Sequence, residues 1–404
     1  MFRITYKKAV EKTKKITYQA MESFIHSLNT VSGKGKQTIP SSVSFGTDSS
    51  PEGRMIIKNF LEAFQKGLGN YETPKFPKPI FKLKEGINLN EQDKNYDLFE
   101  LACEICSKKS FPNFAFLDAP FNKDCYREGD YDTEVAYMES NVRILENNVD
   151  ENKATVAGRG NLSITSINLP RIGIKYGIKS NEKANLNKFF EELEEKLDLV
   201  KDQLIERFEY QCKKKKNNFP FLLGQELWID SEKIKDTDNL RKVLKQGTLS
   251  IGFIGLAECL KALTGNHHGE NNETQKLGIK IIEFMRKKCD EYSEKYNLNF
   301  NLIATNANNS LNKFIKLDQA IYGKLKGITD KENYTQSFEI PNNFKIKLED
   351  KINIEAPYHM YTNGGHAINV KIDKENNKNS KYILSLLDLM QQKQIGYAKI
   401  QVLD

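Results

Sequence analysis

Short extended apolar runs alternate with helix-length amphipathic stripes along most of this chain, and that alternation restricts it to a largely parallel α/β architecture. Extended runs fall near 78–83, 113–118, 161–169, 248–254, 299–305, 366–372 and 396–402. Helical patterns fall near 5–29, 51–67, 94–109, 183–213, 255–264, 273–297 and 378–393. The clearest stripe is Leu186, Phe189, Phe190, Leu193, Leu197, Val200, Leu204 and Phe208, the spacing of one buried face on a long helix. The polar run 306–312 reads as a loop. With no internal repeat and no Gly/Ser- or Pro-rich linker, the chain reads as one domain, with ligand sites expected at strand ends.

The composition narrows the class. The 404 residues can bury a substantial core, and 28% of them are charged. No apolar run approaches the ~20 residues that span a bilayer, and the N-terminus carries no apolar signal core, so a cytoplasmic, non-membrane protein is expected. The net charge of +7 is modest, and its densest run, Lys213–Lys216, ends a helical stripe without interleaved aromatics. A solvated helix end is the reading there, and no nucleic-acid partner is expected. Six scattered cysteines suggest a reducing compartment. Cys103 and Cys106 form a lone CxxC on a helical pattern, which reads as packing in the absence of a second pair.

Several motifs carry possible chemistry. Gly252-Phe-Ile-Gly255 is a glycine-rich strand-to-helix turn, either a close approach to a ligand phosphate or a tight packing turn. Asn161, Ser163, Thr165 and Asn168 place small polar groups on an apolar strand, where they could bond a ribose or satisfy nearby backbone. His267, next to His268, and the pair His359 and His366 are candidate pocket residues. Adjacent histidines on an extended segment point to opposite faces, and no carboxylate or cysteine joins them at ligand spacing, so no metal is expected.

Ordered motifs extend these readings almost end to end: Ser41-Ser-Val-Ser-Phe-Gly-Thr-Asp48, Asn113-Phe-Ala-Phe-Leu-Asp-Ala-Pro120, Ala136-Tyr-Met-Glu-Ser-Asn-Val-Arg143, Gly158-Arg-Gly-Asn-Leu-Ser-Ile-Thr-Ser-Ile-Asn-Leu-Pro-Arg171, Gly247–Glu258, Ala356-Pro-Tyr-His359 and Thr362-Asn-Gly-Gly-His366. Together they resemble the large catalytic subunit of the anaerobic, class III ribonucleoside-triphosphate reductases. The resemblance implies a glycyl-radical-enzyme type ten-stranded α/β barrel, truncated at both ends, with residues 1–404 as a partial catalytic barrel and a finger loop at about 119–160. It implies radical-based reduction of ribonucleoside triphosphates to deoxyribonucleotides for DNA synthesis. Asn161 or Asn168 would hold the ribose hydroxyls, and substrate phosphates would meet helix N-termini such as that near Gly255.

Departures from the family pattern set a second expectation. In the family the loop tip reads Tyr-Met-Gly-Cys-Arg-Thr, and its cysteine becomes the thiyl radical. Aligned on Tyr137-Met138, that cysteine falls on Ser140. The ATP-cone and the C-terminal glycyl-radical and zinc module are expected to be absent, because the chain ends at Ile400-Gln-Val-Leu-Asp404. No cofactor is then expected on this chain itself. The family's glycyl radical is made by a separate S-adenosylmethionine iron–sulfur activase. Expected partners are ribonucleoside triphosphates, that activase, and a second copy or a complementing C-terminal chain. The chain alone is expected to be inactive, or to serve as a non-catalytic nucleotide-binding pseudoenzyme that associates with an active reductase.

Overall fold

The computed structural model describes residues 2–30, 38, 40–138, 141–144, 147, 149–150, 154–178, 183–305, 308–373 and 380–403. In chain order the first elements are α1 (Phe2–Asn29), β1 (Ser42–Phe45), α2 (Pro51–Lys66), β2 (Lys78–Leu83), α3 (Tyr96–Lys109), β3 (Asn113–Phe116) and α4 (Pro120–Lys123). Then come β4 (Ala136–Tyr137), β5 (Arg143–Ile144), β6 (Asn161–Asn168), α5 (Leu169–Tyr176), α6 (Leu186–Cys212), α7 (Arg241–Leu244), β7 (Thr248–Ile254), α8 (Leu256–Thr264) and α9 (Asn272–Tyr296). The last are β8 (Asn299–Ala304), α10 (Asn308–Tyr322), α11 (Leu348–Glu355), β9 (Ile368–Asp373), α12 (Ser380–Gln392) and β10 (Tyr397–Leu403).

The described residues divide between two compact units. Unit 1 lies within Met1–Lys123, Tyr137–Glu139 and Ile368–Asp404, and unit 2 within Asp124–Ala136 and Ser140–Ala367. No linker marks the division, because both units draw on segments far apart in the chain.

Unit 1 is built on a five-stranded sheet ordered β1-β2-β3-β10-β9. Its pairings are parallel except β10 with β3. Ile80, Phe81, Phe114 and Phe116 are fully buried, and the Phe81 and Phe114 rings lie 6.1 and 6.4 Å from Phe99 of α3. Helix α2 starts where its chemistry allows: Ser50 Oγ accepts from the Gly53 N–H at 3.0 Å, and Pro51 occupies the first turn. Cys103 and Cys106 lie in the core on α3, where burial pushes the Cys106 thiol up to about 12.

Unit 2 carries the parallel sheet β6-β7-β8. Every residue of β7 is buried, including Thr248 and Ser250. The α6 stripe packs as the periodicity predicts: Phe189, Leu193, Leu197, Leu204 and Phe208 are at most 1% exposed, each contributing about 2 kcal/mol of transfer free energy. Phe190 is partly buried and Leu186 exposed, where the stripe leaves the sheet.

Two expectations change. The run 306–312 is not simply a loop, because α10 starts at Asn308; residues 306 and 307 lie outside the described residues. Polar asparagines hid a helix whose inward face is Leu311 and Ile315. Helices α5 and α11 also went unrecognised, each being too short for a stripe to stand out.

Candidate functional site

One face of the β6-β7-β8 sheet is polar, and a β-bulge builds it. Asn161 pairs with Thr248 and Ser163 with Leu249, so Leu162 is an extra residue on β6. Strict alternation would put Asn161, Ser163 and Thr165 on one face. The bulge turns Asn161 to the other. There its amide donates to Thr248 Oγ1 at 3.1 Å and to Ser250 Oγ. Ser250 Oγ donates in turn to Asn301 Oδ1 on β8, at 2.5 Å. The Asn301 Nδ2 is buried without an acceptor among the described residues. Along the same face the Ser166 and Thr305 hydroxyls bond each other at 2.8 Å. Gly252 keeps that pair possible, since a Cβ there would meet Thr305 Oγ1 at 1.9 Å and Ser166 Oγ at 2.5 Å.

Ser163 and Thr165 belong to the opposite, helix-covered face. Both hydroxyls accept from Arg207 of α6, at 3.2 and 3.0 Å, and Thr165 also donates to Gln203. Asn168, at the end of β6, donates to the buried Asp318 carboxylate at 2.8 Å, which also accepts from Arg171 and the Tyr334 hydroxyl. The Asn168 Oδ1 is buried without a donor among the described residues. Asn161 alone of the four joins the polar network of β7 and β8.

The turn at Gly255 is closely packed. Gly255 has φ +69°, and a Cβ would lie 2.3 Å from Pro170 Cγ. The Gly255 and Leu256 amides donate to the carbonyls of Thr335 and Ser337, both at 3.0 Å. The buried Glu258 carboxylate accepts from Lys331 Nζ at 2.7 Å and from the Thr335 hydroxyl at 2.6 Å in the first turn of α8. Protein groups therefore already complement part of this helix dipole.

The glycine pair of Thr362–His366 seats the segment that follows the loop tip. The Gly364 N–H donates to the Leu302 carbonyl at 2.8 Å, and the Ala304 N–H to the Gly365 carbonyl at 2.8 Å, so the loop lies along β8. On its other side the Arg143 N–H donates to the Gly364 carbonyl at 2.9 Å, and its guanidinium donates to the Asn363 carbonyl at 3.1 Å. Arg143 is 1% exposed. Gly364 also abuts the network, since a Cβ on it would fall 2.3 Å from Asn301 Oδ1. Ser140 itself lies outside the described residues. Within unit 1, Tyr137 stacks on Tyr397 at 4.8 Å and donates to Asn122 Oδ1 at 3.2 Å.

The histidines form a buried chain of rings. His359 and His366 are 4.2 Å apart, Phe338 lies 5.5 Å from His359 and stacks on Tyr358, and Tyr358 meets His268 at 5.7 Å. Burial pushes His268 and His359 down to about 3. Burial, His359 and then Arg143 hold His366 well below its ordinary value. His267 turns away, against Phe344 and Glu270. Among the described residues no three His, Cys, Asp or Glu side chains gather as a metal site.

A sequence profile of the anaerobic ribonucleoside-triphosphate reductases matches residues 2–402. The chain belongs to this family. Its similarity to the reductase of Escherichia coli is 32% identity over 361 residues, covering 88% of this chain and 49% of that one. Similarity to the reductase of Enterobacteria phage T4 is 32% over 373 residues, covering 91% and 58%. The chain thus spans about half the length of the curated reductases it matches. Among solved structures, an anaerobic ribonucleotide reductase shares the fold with a TM-score of 0.69 at 14% identity, covering 98% of this chain and 60% of that one. The Thermotoga maritima reductase in complex with dATP and CTP gives 0.68 at 13%, covering 98% and 62%. Hydroxyproline dehydratase from Clostridioides difficile, at 0.56, 13% identity, and 90% and 51% coverage, has a related fold. A glycyl radical enzyme from Archaeoglobus fulgidus shares the fold with a TM-score of 0.60 at 11% identity, covering 91% of this chain and 52% of that one, and the α/β class expected from the sequence is the one found.

The residues that sequence reasoning missed are Ser250, Asn301 and Arg143. Ser250 and Asn301 sit inside apolar runs, and an isolated polar residue in a buried strand was the available signal.

Proposed function

We propose that this chain is the ribonucleoside-triphosphate-binding part of an anaerobic ribonucleotide reductase, with the ribose lying against the Asn161–Ser250–Asn301 face. The observation that carries the reading is the Asn301 Nδ2, a buried donor whose amide is fixed by Ser250 and which has no acceptor among the described residues. Leaving such a group unpaired costs about 1–3 kcal/mol, which a ligand hydroxyl oxygen would offset. The conversion itself needs a sulfur radical. A glycyl radical on a complementing segment would supply the acceptor for the hydrogen atom of a cysteine S–H at position 140, and that sulfur would be the group placed to accept a hydrogen atom from the ribose carbon. Serine at 140 cannot replace that cysteine, because its O–H bond is much stronger than S–H and the first transfer runs uphill. Ser140 therefore favours a second reading, in which the chain binds nucleotide and associates with an active reductase without turnover.

Calorimetric titration of the purified chain with CTP, ATP, GTP and UTP tests the binding. No heat for any of them, from a chain folded by circular dichroism, would sink both readings. Turnover separates them. The Ser140→Cys variant, supplied with a glycyl-radical chain and its activase, is expected to form deoxynucleotides while the Ser140 chain forms none.

A further inference from the structure

Arg143, on β5, is buried and follows position 140 by three residues. It reaches two successive carbonyls of the Thr362–His366 loop: its N–H donates to Gly364 at 2.9 Å, and its guanidinium donates to Asn363 at 3.1 Å. Asn363 is itself fixed, because its side-chain Oδ1 accepts from the Leu302 N–H of β8 at 3.0 Å. Gly365 lets the Asn141 carbonyl lie closer than a Cβ would allow. Val142 and Ile144 add apolar packing in a small cluster with Val156 and with Ile303 of β8.

These contacts have different effects. Apolar burial is non-directional, so the small cluster holds the segment against β8 without fixing where along the strand it lies. A slip of one residue would move the segment by about 3.3 Å and turn its side chains to the opposite face. The hydrogen bonds are directional, and the guanidinium bond to the Asn363 carbonyl is charge-assisted. We infer that Arg143 is a positioning residue, which sets the register of residues 141–144 on β8 and thereby the reach of the loop-tip residue at 140. Only the nucleotide arm of the test below rests on the proposed binding reading.

The test adds a probe thiol through Ser140→Cys and times its alkylation by iodoacetamide in the full chain. Cys125, upstream in the sequence, and the buried Cys259 and Cys289 are followed in the same digest. Adding Arg143→Met is expected to speed labelling at 140 by about tenfold, with the other three rates unchanged, as a local shift requires. Arg143→Lys keeps the charge but not the guanidinium fork, and is expected to speed labelling at 140 by about threefold. Saturating CTP is expected to slow labelling at 140 by about fivefold when Arg143 is present, and to leave it unchanged in the Arg143→Met chain although CTP still binds with about the same calorimetric affinity. An unchanged rate at 140 in both Arg143 variants overturns the proposal. So does a rise at Cys259 and Cys289 in step with position 140 in both, because Arg143 would then support the fold as a whole. Should the methionine variant alone expose Cys259 and Cys289, the lysine variant decides. Absence of CTP heat in every chain counts against the binding reading, and the nucleotide-free rates still decide the role of Arg143.

Discussion

Ser250 Oγ donates to Asn301 Oδ1 at 2.5 Å across the β7–β8 pair, while the other half of the same amide, Asn301 Nδ2, is buried without an acceptor among the described residues. Asn161 reaches the same serine from β6, so three strands converge on one hydroxyl.

Replacing Asn301 by Ala removes both the orphan donor and the Ser250 acceptor. Nucleotide affinity is expected to fall at least tenfold by calorimetric titration. The fold should lose about 1–3 kcal/mol, because Ser250 is left short of a partner. An affinity equal to the parent chain's would detach ribose binding from this face.

Gly365 has φ +138°, and a Cβ on it would lie 1.9 Å from the Asn141 carbonyl oxygen and 2.8 Å from the Arg143 nitrogen. These are backbone atoms that no rotamer change can clear. Gly365→Ala is therefore expected to cost about 2–4 kcal/mol in denaturant unfolding and to speed exchange of the Arg143 amide. Unchanged exchange at Arg143 would mean that the segment is held elsewhere.

The buried histidines set an acid limit on stability. His268 and His359 have folded values near 3, below the ordinary 6.5. Between those values the unfolded chain binds more protons than the folded one, so stability falls as pH drops from 6.5 toward 3. Each contributes a slope of up to about 1.4 kcal/mol per pH unit. His268→Gln should flatten the slope of unfolding free energy over that window. An unaltered slope would remove His268 from the account.

Thiol reactivity should follow burial. Cys125 is half-buried, while Cys103, Cys106, Cys212, Cys259 and Cys289 are buried. Burial also pushes the Cys212 thiol up to about 11. Peptide mapping after brief iodoacetamide treatment of the native chain at pH 8 is expected to find the label on Cys125, the others reacting only after unfolding. Early labelling of Cys103 or Cys106 would mean that α3 opens locally.

Much of this was legible in the residues. The α6 stripe, the β7 run and the α8 and α9 helices follow from apolar spacing, which depends only on which side chains must leave water. The ordered glycine, histidine and asparagine motifs carried the family, since they mark close approaches that few other residues permit. Tertiary structure decided the rest. Leu162 could be counted as an extra residue only once β7 lay beside β6, and that register moved Asn161 away from Ser163 and Thr165. The fate of the Gly255 helix start depended on Thr335 and Ser337, some eighty residues later in the chain. Local periodicity records which face a side chain prefers. It holds no information about which distant strand, loop or carboxylate will meet it there, and partners of that kind, as with Asn301 and Ser250, make a polar group a site or a strut.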